Sequence, residues 1–184
     1  MRSCKILILL CLFILPVQSL AAEATVTDLL ISNTSDNLLV YLKLENCFTE
    51  KMEEAILAGI PTTFTFILEL YQERRWWFDK KISLLEARRT IKYDNIKKIL
   101  YVLFTQDGSE PEQFKKFSEA KTAMSELNGI AFGPLKRLTK GESYYLRVKA
   151  KLEKVRLPLH LEYVFFFVSL WDFETDWARQ DFVY

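Results

Sequence analysis

Period-two alternation is the feature that most restricts this chain. Tyr144, Leu146, Val148, Ala150 and Leu152 alternate with Tyr145, Arg147, Lys149 and Lys151. An extended backbone puts the first set on one face and the charged set on the other, whereas a helix scatters both. The same period returns at Leu38, Val40, Leu42 and Leu44, with Leu39, Tyr41, Lys43 and Glu45 opposite, and again at Phe64, Phe66, Leu68 and Leu70. Segments of this kind each have one face to bury, which is the pattern of an antiparallel sheet with a wet side.

Further segments extend the pattern. Residues 25–33 and 38–46 read as the first two strands, joined by the polar turn 32–37. Thr49 is placed to cap a short helix whose first turns carry Glu50, Glu53 and Glu54, negative charge where the helix dipole favours it; Met52, Ala55 and Ile56 form its apolar stripe. Gly59-Ile60-Pro61 stops that helix and launches the strand of Phe64 to Leu70. Residues 82–93 suggest a strand pair, and 99–105, apolar on both faces, reads as a central strand. Ser109-Glu110-Pro111-Glu112 resembles a capping box, and Phe114, Phe117, Met124 and Leu127 mark one helical face that ends at Asn128-Gly129. Residues 130–138 form a short strand interrupted at Gly133-Pro134, 164–170 an inner strand, and 178–184 alternates polar and aromatic residues without a clear assignment. The expected fold is mainly β: an antiparallel β-sandwich, immunoglobulin-like or related, with two helices in its connections. A sheet packed on the second helix is the alternative.

The N-terminus reads as something other than fold. Arg2 and Lys5 precede an apolar run over residues 6–16 and a small-residue region at Ser19 to Ala24, the layout of a secretory signal peptide over residues 1–22. The run is short for a membrane span, which takes about 20 apolar residues, although a retained anchor is the alternative. A single β-rich domain over 23–184 is expected in the periplasm or another extracytoplasmic space, without stable membrane insertion after cleavage. Without Arg2 and Lys5, the 25 basic residues fall to 23 against 24 acidic ones. Such a balance argues against general binding of nucleic acid or an anionic membrane. Cys4 and Cys11 leave with the signal, so Cys47 is expected to stand without an intrachain partner.

Few residues suggest chemistry. Asp172, Glu174 and Asp176 fall two apart, and on a strand they would share a face able to hold a hard cation such as Ca²⁺; Trp177 stands where an EF-hand loop needs Gly, and a solvated strand face is the simpler reading. His160, the one histidine, lies between Leu159 and Leu161 with no nucleophile elbow or H-E-x-x-H pair in the sequence. Cys47, between Asn46 and Phe48, reads as a small packed side chain. No catalytic residue and no cofactor are assigned. The richest group is Tyr71, Arg74, Arg75, Trp76, Trp77 and Lys80, with Lys81 beside them. Trp, Tyr and Arg dominate binding hot spots, and two adjacent tryptophans on a strand project to opposite faces, so at least one is expected on the outer face or at the rim.

Gly59-Ile60-Pro61, Trp77-Phe78-Asp79, Tyr93, Leu157-Pro158 and Trp171 with Trp177, in this order across nearly the whole mature chain, resemble the DUF4390 family of exported bacterial proteins. The resemblance implies no established activity; some members are encoded near sensor kinases, which implies a place in envelope signalling. The expected function is therefore that of an exported, non-enzymatic domain that binds an envelope protein. The alternative is a carrier or sensor of an apolar or amphipathic ligand in a pocket lined by Phe64, Phe66, Phe165, Phe166, Phe167 and Trp171.

Overall fold

The computed structural model describes residues 23–105, 110–153 and 173–184. The proposed signal segment 1–22, Ser109, His160, the proposed strand 164–170, Trp171 and Asp172 lie outside the described residues.

Two antiparallel sheets are built from the alternating segments. The smaller sheet holds β1 (Thr25–Asn33), β2 (Asn37–Glu45) and β7 (Glu126–Pro134), in the order β1-β2-β7. The larger holds β3 (Thr62–Gln72), β4 (Lys80–Asp94), β5 (Ile99–Phe104), β6 (Glu112–Phe114), β8 (Ser143–Leu152) and β9 (Ala178–Val183), in the order β6-β5-β4-β3-β8-β9. Val40, Leu42 and Leu44 of the small sheet share one buried cluster with Phe64, Phe66, Leu68, Leu146, Val148 and Ala150 of the large one. The arrangement is sandwich-like. It lacks the four-and-three strand split of an immunoglobulin constant domain among the described residues. Fully burying side chains of this size contributes about 1.5–3 kcal/mol each, so the alternating faces supply the main stabilisation.

The first helix forms where the sequence places it. In α1 (Glu50–Leu57) the Thr49 hydroxyl accepts from the Met52 N–H at 3.3 Å, and Met52, Ala55 and Ile56 are buried. Gly59 follows with φ +93°, a left-handed stop that a side chain would strain.

Four expectations need correction. The second helix, α2, runs only from Phe117 to Ser125. Glu112 and Phe114 pair with β5 instead, where the edge of that strand offers unmet backbone groups, and Leu127 already belongs to β7. Gly129 does not end the helix; it sits within β7 at φ +75°, near the register shift opposite Val40 and Tyr41. What closes α2 is Arg89 of β4, almost fully buried, which donates to the carbonyls of Ala123 and Glu126. A cation at the negative end of the helix satisfies carbonyls that have no partner inside it. Second, β5 is not central: it lies between β4 and the edge strand β6, and Leu103 on its outer face is exposed. Third, 82–93 is not a strand pair but the middle of the single strand β4.

The fourth correction concerns Trp76 and Trp77. They do not lie on a strand, so the alternation argument fails for them. Residues 73–79 form the loop between β3 and β4, and both indoles point outward. Finally, the unassigned tail pairs with β8 as β9, Phe182 stacking on Tyr144 at 5.8 Å.

Candidate functional site

The outer face of the large sheet follows from strand register. In β3, Phe64, Phe66, Leu68 and Leu70 point inward, so Glu69 and Tyr71 point outward. In β8 the inward set is Tyr144, Leu146, Val148 and Ala150, which leaves Tyr145, Arg147 and Lys149 on the same outer face. Antiparallel pairing sets Glu69 opposite Arg147 and Tyr71 opposite Tyr145; on the far side of β8, Arg147 faces Arg179 and Tyr145 faces Asp181. On β4, Lys81 stands opposite Tyr71. Side chains far apart in sequence are thereby brought into one row.

Their contacts make a ladder of rings and cations. The Tyr71 and Tyr145 rings stack at 5.2 Å, 9° from parallel. The Arg147 guanidinium lies 4.9 Å from the Tyr71 centroid and 4.3 Å from that of Trp177. Arg179 covers Tyr145 at 3.7 Å, and Lys149 lies 4.9 Å from Trp177. All fall within the roughly 6 Å over which a cation is attracted to an aromatic face.

Glu69 ties the ladder together. Its carboxylate, buried beneath these side chains, accepts from Lys81 at 2.6 Å, from Arg147 Nε at 2.6 Å and from the Tyr71 hydroxyl at 3.1 Å. Burial pushes its pKa up, but the three donors outweigh burial and hold it below the ordinary carboxylate value. The same contacts raise Lys81, through its hydrogen bond to Glu69 first, while Arg147 is raised against the opposing effect of burial. Beyond the ladder, Lys149 pairs with Glu174, which lowers that carboxyl.

The loop 73–79 joins this face at one end. The Tyr145 hydroxyl donates to Asp79 Oδ2 at 3.0 Å, and burial, with that bond, raises its pKa. Asp79 Oδ1 accepts from the Arg74 N–H at 3.1 Å, and the Glu73 N–H donates to the Ser143 carbonyl at 2.9 Å. Trp76, Trp77 and Phe78 project beyond this base, 89%, 75% and 86% exposed. A cleft of about 560 Å³ beside the loop is lined by Arg74, Arg75, Asp79 and Glu142 among others.

A family profile, Domain of unknown function (DUF4390), matches residues 21–181. The chain belongs to the DUF4390 family. No curated protein and no solved structure matches it.

For this DUF4390 protein, the structure divides the residues singled out by sequence. Tyr71 joins the ladder; Arg74, Arg75, Trp76 and Trp77 lie on the loop, and Lys80 opens β4 beside it. Tyr145, Arg147, Lys149, Trp177 and Arg179 were not part of that group. The alternation of β8 already turned Tyr145, Arg147 and Lys149 outward; register was the missing information.

The other candidates occupy different surroundings. Cys47 is buried, its thiol 3.4 Å from the Leu44 carbonyl, and burial pushes its pKa up to about 12. Of the acidic triplet, Glu174 is engaged by Lys149, and no cluster of three His, Cys, Asp or Glu side chains able to hold a metal occurs among the described residues. Phe64 and Phe66 are fully buried, Phe64 packing against Phe48 and Phe173 at 5.1 and 5.5 Å. A separate cleft of about 710 Å³ opens between the end of β2 and the two helices, with Cys47, Phe48, Phe117 and Lys121 on its walls. Among the described residues no helix is long and apolar enough to cross a membrane.

Proposed function

We propose that this DUF4390 protein is an exported, non-enzymatic binding domain of the cell envelope, and that a protein partner docks on the outer face of the large sheet across β3, β8 and β9. The ladder Tyr71-Arg147-Trp177 with Tyr145-Arg179 carries this reading. A merely solvated sheet face needs only scattered polar side chains. This one concentrates Trp, Tyr and Arg, the types that anchor protein interfaces, and holds them in fixed positions through Glu69. Rings and guanidinium groups that are already stacked lose little side-chain freedom on docking.

Trp177→Ala and Arg179→Glu alter the rim of the ladder, where both side chains are exposed. Each is expected to weaken capture of the envelope partner at least tenfold while the unfolding midpoint moves little. Undiminished capture by both variants would dismiss this surface.

A carrier function is the second reading, favoured by the cleft of about 710 Å³ at Phe48 and Phe117, a size suited to a small amphipathic ligand. Mass spectrometry of organic extracts of the purified protein tests it: a stoichiometric small molecule that Phe117→Ala no longer retains supports a carrier, and an empty extract rejects it.

A further inference from the structure

We propose that the loop 73–79 is a peripheral membrane contact that seats Trp76, Trp77 and Phe78 in the headgroup region of an anionic lipid bilayer. Three consecutive large aromatics at 89%, 75% and 86% exposure are not explained by folding. Among the described residues their one ring contact is internal, Trp77 against Phe78 at 6.4 Å.

The loop presents them on a fixed base. The Glu73 N–H is held by the Ser143 carbonyl, the Arg74 N–H by Asp79, and Asp79 in turn by the Tyr145 hydroxyl on β8.

Charge identifies the surface. Arg74, Arg75 and Lys80 flank the aromatics on both sides and make no ion pair among the described residues. The loop's two carboxylates are engaged: Asp79 as above, and Glu73 by Arg179 at 3.4 Å. Residues 73–80 hold Arg74, Arg75 and Lys80 against Glu73 and Asp79, and with Glu73 met by Arg179 the loop keeps an excess of positive charge although the chain as a whole is balanced. Aromatics in the middle, cations on either side and an anchored acidic base reproduce the order of acyl boundary, phosphate and water at a bilayer surface. Indole rings favour that boundary because they are apolar bodies with one polar N–H, and basic side chains beside them favour anionic headgroups. A protein hot spot is instead usually central and enclosed by a rim, whereas these rings project from a loop. The contact is peripheral and requires no spanning helix.

The test uses the full chain with vesicles of phosphatidylcholine alone or mixed equally with phosphatidylglycerol, and reads quenching of tryptophan by brominated acyl chains. The apolar segment near the N-terminus contains no tryptophan, so it is silent in this measurement. Strong quenching is expected on the anionic vesicles, at least tenfold weaker association of Arg74→Glu/Arg75→Glu through the loop, and decreasing quenching as salt rises. Trp76→Phe/Trp77→Phe should abolish the quenching while keeping the chain on the vesicles. Trp76→Ser/Trp77→Ser/Phe78→Ser should lose the loop's contribution to binding with an unchanged unfolding midpoint. Trp177→Ala should leave quenching by anionic vesicles intact, which separates this site from the protein-docking face. Unquenched wild-type protein, or quenching that survives Trp76→Phe/Trp77→Phe, would overturn the proposal. So would loss of protein capture in the serine variant with no vesicle contact in the wild type, which would make the loop a protein-docking element.

Discussion

At the Glu69 carboxylate, donors converge from three strands: Tyr71 on β3, Lys81 on β4 and Arg147 on β8. Because its folded pKa lies below the ordinary value, the carboxylate stabilises the protein above the ordinary carboxylate range, near about pH 4, and that contribution disappears as pH falls through the lowered value. Glu69→Gln is expected to cost about 1–2 kcal/mol at neutral pH and to flatten the acid limb of stability, as hydrogen bonds to charged groups contribute on that scale. Denaturant titrations at neutral and acid pH measure both; equal losses at the two pH values would deny the carboxylate its charge-dependent role. Cys47 gives a second residue-scale prediction. A thiol held at about 12 by burial is almost entirely protonated at neutral pH, so a disulfide reagent should modify Cys47 only as fast as the protein unfolds, and promptly in guanidinium. Rapid labelling of native protein at this residue would show an accessible thiolate.

Single elements show where local sequence suffices and where it does not. β2, β3 and β8 were legible because their apolar residues repeat every second position, and α1 because Thr49, the early glutamates and Gly59 agree with one another. The ends of α2 were not legible: pairing with β5 draws Glu112 and Phe114 into β6, and the element that closes the helix is Arg89, 34 positions from Ala123 in sequence. Trp76 and Trp77 read as strand residues because aromatic residues favour strands, whereas their exposure depends on the hairpin turning there. Gly129 marks a position where β7 requires what only glycine readily supplies. At φ +75°, an added Cβ would meet the Tyr41 hydroxyl at 3.1 Å. Gly129→Ala is therefore expected to destabilise by about 1–2 kcal/mol, the scale of placing an L-residue in a left-handed conformation. Thermal or denaturant unfolding checks this, and a neutral or stabilising effect would show that the strand can relax at its register shift.

Across the whole molecule, the mainly β fold with two helices was readable, while the division into sheets of three and six strands was not. Alternation states which side chains share a face but carries no information about neighbours across the sheet. The candidate site suffered the same limit: Tyr71 and the loop residues stood out by composition, but Arg147, Trp177 and Arg179 joined them only through β3-β8-β9 register. Balanced net charge likewise concealed the cations near Trp76, which make no ion pair among the described residues. The central claim is that the outer face of β3, β8 and β9 receives a protein. It is most directly tested by placing a photo-crosslinking side chain in the living cell at Trp177 or Arg179, and at Ile96, which is 94% exposed in the β4–β5 turn away from the ladder. A discrete protein adduct at Trp177 and Arg179 and none at Ile96 is the predicted result; adducts at Ile96 alone, or none at any position, would contradict it.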